Sequence, residues 1–139
     1  VAIVSDLIRL QTRGNNDTID ITERVARAVE ESGLRSGIVT VFVPGSTGGL
    51  TTIEYESGVI QDLGDLLEKI VPGGVDYRHN LKWGDGNGHA HLRASLIGPS
   101  LTVPFNGGRL VLGTWQQIVF VDFDNRSRRR EIVLQVIGE

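Results

Sequence analysis

All three histidines of this 139-residue chain fall within thirteen positions, at His79, His89 and His91. Neutral imidazole ligates zinc, nickel, copper or iron, and it exchanges protons near neutral pH. The three can supply two or three ligands to one ion, with Asp85 or Glu54 as a further oxygen ligand. A histidine set without cysteine leaves a coordination position for water, as catalytic zinc sites do. His89 and His91 stand at i and i+2, so in an extended segment both would project from one face. Singly, each reads as an exposed or hydrogen-bonded loop residue. Three together, around the glycine-rich run Gly84-Asp85-Gly86-Asn87-Gly88, read as a shared site.

A second group of residues suits anions. In Pro44-Gly45-Ser46-Thr47-Gly48-Gly49, consecutive small residues can turn backbone N–H groups towards a negative charge, with the Ser46 and Thr47 hydroxyls beside them. The same run also serves as a plain tight connection between strands. No lysine follows at the spacing of a nucleotide-binding P-loop. Arg93 and Arg109 are candidates for bidentate phosphate contacts. Arg126, Arg128, Arg129 and Arg130, beside Asp122 and Asp124, read as a solvated hairpin with local ion pairs. That run is short and lacks the interleaved aromatics of a single-strand nucleic-acid platform. Glu54, Asp85 and Asp62 are candidate general acids or bases. Ser46 and Ser95 have no nucleophile-elbow motif around them, which speaks against a serine hydrolase.

These residues need elements to position them. Residues 2–10 alternate loosely and predict a strand. Thr12–Thr18 reads as a turn. Asp20 with Glu23 fits a capping box, with Thr22 as a competing cap, opening a helix that Gly33 closes. Ile38–Val43 is β-branched and predicts a buried central strand. Leu50–Tyr55 reads as a further strand, and Ser57–Ile70 as a second amphipathic helix. Tyr77–Gly88 reads as a loop, followed by a strand or short helix that carries His89 and His91. Arg109–Phe123 is a long segment that Gly113 can bend. Its end, Ile118–Phe123, is apolar on both faces, so a second layer or another subunit must cover it twice. Trp115 reads as core or subunit interface. A final strand spans Ile132–Val136. The count is about seven strands and two main helices without βαβ alternation. That predicts an α+β fold with a β-sandwich-like core, as a single domain over residues 1–139.

The bulk composition bounds the function classes. No cysteine is present, so disulfide and thiolate chemistry is excluded. A net charge of −3 and a pI near 5.6 argue against nucleic-acid binding. No apolar run is long enough to span a bilayer, and the start has no signal-peptide pattern. A cytoplasmic location is the default expectation.

Several motifs together resemble the YjbQ family, proteins catalogued as secondary thiamine-phosphate synthases. They are Leu50-Thr51-Thr52-Ile53-Glu54, His79-Asn80, the run Gly86–Gly98, Val103-Pro104, Gly108–Gln116 and Asp122-Phe123-Asp124-Asn125. The resemblance covers nearly the whole chain. It implies a homotrimer with a histidine-rich site between subunits, and a transferase activity on phosphorylated molecules. On that reading His79, His91, Glu54 and Asp85 are catalytic. Ser46, Thr47, Arg93 and Arg109 bind the substrate, and His79, His89 and His91 hold a divalent metal such as zinc or magnesium. The alternative is a non-catalytic oligomer that binds a metal or an anion. The family's usual pattern has a further histidine where this chain has Gly45.

Overall fold

The computed structural model describes residues 1–139. The chain runs β1 (Ala2–Gln11), β2 (Asp17–Asp20), α1 (Thr22–Ser32), β3 (Gly37–Phe42), β4 (Gly48–Ile53), α2 (Ser57–Ile70), α3 (Arg78–Trp83), α4 (Gly88–Ile97), β5 (Ser100–Asn106), β6 (Arg109–Leu110), β7 (Gln117–Asp122) and β8 (Arg129–Gly138). A five-stranded sheet has the order β1-β8-β3-β5-β6, and a three-stranded sheet the order β2-β7-β4. Every pairing is antiparallel. The α+β sandwich expected from the sequence is present, with eight strands and four helices.

The main core fills the space between the sheets. Val39, Val41, Val103, Phe105, Ile132, Leu134 and Val136 point inward from the larger sheet. Leu50, Ile118 and Phe120 face them from the smaller one, while Ile21, Val25, Ala28 and Val29 close the layer from α1. A second cluster lies on the far side of the smaller sheet. There Val119, Val121 and Phe123 meet Leu67 of α2 and Ala90 and Ala94 of α4. The twice-buried strand is therefore β7, and the chain's own helices supply its second layer.

Several local expectations change. Helix α1 starts without a capping box: Ile21 is the N-cap, and Asp20 Oδ1 instead accepts from the Thr22 N–H and hydroxyl at 2.9 and 2.6 Å. The segment expected to be turn includes β2, which pairs with β7. Arg109–Phe123 divides into β6, a loop and β7, with Gln116 Oε1 closing the loop on the Gly113 N–H at 3.0 Å. Trp115 is 72% exposed and so takes no part in the core.

The outer face of the larger sheet is uncovered. Its register aligns Ile3, Ile137, Ile38 and Pro104 in one row and Leu7, Val133, Phe42 and Ser100 in another. Between them runs a polar row, Ser5, Gln135, Thr40 and Thr102. Ser5 donates to Gln135 at 2.8 Å, and the Thr40 and Thr102 hydroxyls are 3.2 Å apart.

Candidate functional site

The stretch read as loop contains α3, and the stretch after it is α4. Gly84 ends α3 in the left-handed region, at φ 66°. The chain then turns back, and Asn80 Oδ1 accepts from the Gly88 N–H at 2.8 Å. A Cβ at Gly88 would come within 2.8 Å of Tyr77 Cβ, so only glycine lets α4 begin this close to α3. The result brings His79 against His91, with ring centroids 4.4 Å apart and planes tilted by 41°. Asp85 Oδ1 lies 3.4 Å from His79 Nδ1, close but not hydrogen-bonded.

His89 does not join them. On a helix, residues at i and i+2 are about 200° apart, so the extended-strand geometry that would align His89 with His91 does not arise. The His89 ring lies instead beside Gly73. Burial, then the positive charge of Arg93, push its pKa below the ordinary 6.5, against the opposing pulls of Glu68, the Gly86 carbonyl and Asp124. No three histidine, aspartate or glutamate side chains of one chain gather into a metal-ligand set. A three-histidine metal centre is therefore not formed within this chain.

His91 opens on a pocket of about 250 Å³, lined also by Gly45, Ser46, Gly48 and Ser95. The end of α4 is tied to both strands that flank the Pro44–Thr47 turn. Val43 N–H donates to Pro99 O at 2.9 Å and Leu50 N–H to Gly98 O at 3.0 Å. The small-residue run divides in two. A Cβ at Gly48 would sit 2.6 Å from the Phe120 ring and one at Gly49 2.9 Å from Ile97, so these two glycines serve packing. The N–H groups of Gly45, Ser46 and Thr47 make no hydrogen bond within the chain. The unspent N–H groups are confined to that half.

The other candidates lie apart from this cluster. Arg93 is buried and committed. Its guanidinium donates to Val71 O at 3.0 and 2.8 Å, to Glu68 Oε2 at 2.8 Å and to Asn16 Oδ1 at 3.1 Å. It binds α4 to the end of α2 and has no face turned to the pocket. Glu54 is exposed just beyond β4. Arg109 lines a separate cavity with Glu30 and Arg35. The Thr47 hydroxyl donates to Asp124 Oδ2 at 3.0 Å and accepts from Arg130 at 2.7 Å. The largest cavity, about 630 Å³, lies between Arg13–Thr18 and Tyr55–Gln61 and shares no residue with the histidines.

The hairpin expected to be solvated is in part a buried ionic network. Asp122 and Asp124 are wholly buried. Asp122 takes Arg130 bidentately, both contacts at 2.8 Å, and the Thr12 hydroxyl at 2.6 Å. Asp124 takes Arg128 at 3.0 Å. Burial pushes the Asp124 carboxyl up, but hydrogen bonds from Arg128 and Thr47 more than offset this and hold it below 3.8. A sequence signal for this network exists. Asp122 continues the alternation of Ile118 and Phe120, and Arg130 that of Ile132, Leu134 and Val136, so both point inward.

The fold and the helix-borne histidine pair define a class of small α+β sandwich proteins. The chain belongs to the YjbQ family: residues 6–139 match the model of the UPF0047 protein YjbQ-like family. It is 43% identical to a UPF0047 protein of Archaeoglobus fulgidus over 91% of this chain and 96% of that one. It is 32% identical to the UPF0047 protein YugU of Bacillus subtilis, over 94% and 97%. The structure of a YbjQ-like protein of unknown function from Sulfolobus solfataricus superposes with TM-score 0.94 at 34% identity, covering 99% of both chains. An uncharacterized YjbQ/UPF0047 protein from Clostridium acetobutylicum gives 0.87 at 38%, covering 95% of this chain and 99% of that one. No helix is long and apolar enough to cross a membrane.

Proposed function

We propose that this chain is one subunit of a homo-oligomer, a homotrimer as the family resemblance implies, that acts on a phosphorylated small molecule in the pocket at His91. The observation that carries the reading is the His79–His91 pair, backed by Asp85 and close to a turn with three unbonded N–H groups. The His91 imidazole, the Ser46 hydroxyl and the unbonded N–H groups of Gly45 and Ser46 belong to residues around one pocket, a donor set that suits the oxygens of a phosphate. Asp85 Oδ1, 3.4 Å from His79 Nδ1, would accept the Nδ1 proton if the contact closed on binding, leaving Nε2 to exchange a proton. The thiamine-phosphate-forming reaction implied by the resemblance is one chemistry of this kind: the thiazole phosphate displaces pyrophosphate from the pyrimidine diphosphate as the new bond forms.

Two surfaces support assembly. The open sheet face carries exposed Ile3, Leu7, Ile38 and Phe42, and α4 exposes Leu92 and Leu96 on the helix that carries His91. A neighbouring subunit resting on α4 would wall the pocket. A divalent metal would need a ligand from that neighbour, because one chain does not gather three.

The test joins molar mass by light scattering with titration of inorganic phosphate and of the two thiamine-phosphate precursors. The double variant His79→Ala, His91→Ala should keep the oligomer and lose phosphate binding. A monomeric wild type, or a double variant that binds as before, removes the proposal. Elemental analysis of the same pair addresses the second reading, a non-catalytic metal-binding oligomer, which requires metal in the wild type and its loss in the variant.

A further inference from the structure

We propose that Arg130 is the fixed phosphate anchor of the His91 pocket, reaching it through the gap left by Gly45. The inference rests on the reading of that pocket as a phosphate site. It assigns the recognition of the anion to a residue on β8, outside the histidine stretch.

The guanidinium is held on two sides. Nε and Nη2 donate to the two oxygens of Asp122, both at 2.8 Å, and Nη2 also donates to the Thr47 hydroxyl at 2.7 Å. The ring of Phe120 lies 5.9 Å away on its flat side. The side chain is only 10% exposed. Nη1 makes no hydrogen bond and is not among the buried unsatisfied atoms, so it is the nitrogen left open to solvent. A Cβ at Gly45 would lie 3.3 Å from Nη1. Gly45 has φ 123°, a conformation that L residues with side chains rarely adopt. The free guanidinium nitrogen thus lies next to the bare glycine, and that glycine lines the pocket.

The surrounding chemistry favours an anion. Gly45 and Ser46 line the pocket, and their N–H groups are unbonded. The opposing charge of Asp122 is turned away. Its oxygens are taken by Arg130, by the Thr12 hydroxyl and by the Asp124 N–H. Asp122 therefore acts as the clamp that keeps Arg130 charged and aimed. A clamped guanidinium loses little rotamer freedom when it binds, unlike a surface arginine. The ligand class is a phosphate monoester or a terminal phosphate group. The same charge disfavours a metal cation in the Gly45–Thr47 turn.

The test is a titration of the intact, isotopically labelled protein with inorganic phosphate, and with chloride at matched ionic strength as control. Phosphate should shift the Gly45 and Ser46 amide resonances and the Arg130 guanidinium resonance. Arg130→Lys, which keeps the charge but loses the fork, should weaken binding roughly tenfold or more, and His91→Gln should weaken it as well. If the wild type binds no phosphate, the pocket reading fails and this inference falls with it. If the wild type binds and His91→Gln weakens it, while Arg130→Lys and the guanidinium resonance show no response, the anchor is refuted and the pocket reading stands. Should Arg130→Lys fail to fold, the wild-type guanidinium shift and Gly45→Ala decide. A shift together with weakened binding in Gly45→Ala supports the anchor, and the absence of either overturns it.

Discussion

The pair His79–His91 and the network Asp122–Asp124–Arg128–Arg130 are the two polar clusters nearest the Pro44–Thr47 turn, and they are built in opposite ways. In the network, the carboxylates are wholly buried and side-chain bonds run from 2.6 to 3.0 Å. In the pair, the rings are half-buried and the nearest carboxylate contact is 3.4 Å. His79 Nδ1 has no hydrogen-bond partner. Apart from Arg130 Nη1 and Asp124 Oδ1, the network spends its polar groups on each other and fixes the strand ends. The pair keeps its capacity unspent, as a site that must bind something else does.

This contrast is open to breakage from the strong side first. Asp122→Ala leaves the Arg130 charge buried without its partner. It should cost about 3–5 kcal/mol of unfolding free energy, read from urea midpoints; a loss under about 1 kcal/mol would mean that the network is not the scaffold. Arg93→Leu strips the Val71 carbonyl and Asn16 of their donor and should cost about 2–3 kcal/mol by the same measurement.

Acidification separates the regions further. The folded-state pKa of His89 lies below 6.5, so its contribution is fully present above that pH and is lost as pH falls through the folded value. The depressed Asp124 carboxyl adds a second loss below 3.8. Denaturation followed across pH should show both windows, and His89→Gln should remove only the upper one. The smallest stability effect is expected at the pair: His79→Ala and His91→Ala should each change stability by no more than about 1 kcal/mol. A larger change would recast the pair as structural.

Much of the frame was legible. Periodicity marks α2, the central strand β3 and the closing strand β8, because each buries one face or two. β2 was not legible, since Asp17 and Asp20 are poor strand formers and pairing with β7 decides the matter. The histidine stretch was legible as a centre, but its geometry was not. Asn80 and Gly88 nucleate a helix–turn–helix that no local pattern advertised, and helical pitch separates His89 from His91. Two arginines exchange the roles their sequence positions suggest. Arg93, expected at a phosphate, is a buried strut, while Arg130, expected in solvent, is clamped beside the pocket. Inward strand register separates the two cases, and it can be read only once the strand limits are known.

The uncovered face of the larger sheet has a consequence in time. The inner face closes the core from within one chain, so the fold of the chain needs no partner on the outer face. If the proposed homo-oligomer forms through this face, assembly would be a separate, second-order step whose rate rises with protein concentration. In that case the two apolar rows would supply the buried area, with the polar row of Ser5–Gln135 and Thr40–Thr102 contacts between them. Refolding from denaturant should therefore show a concentration-independent phase for the chain and a slower, concentration-dependent one for the oligomer.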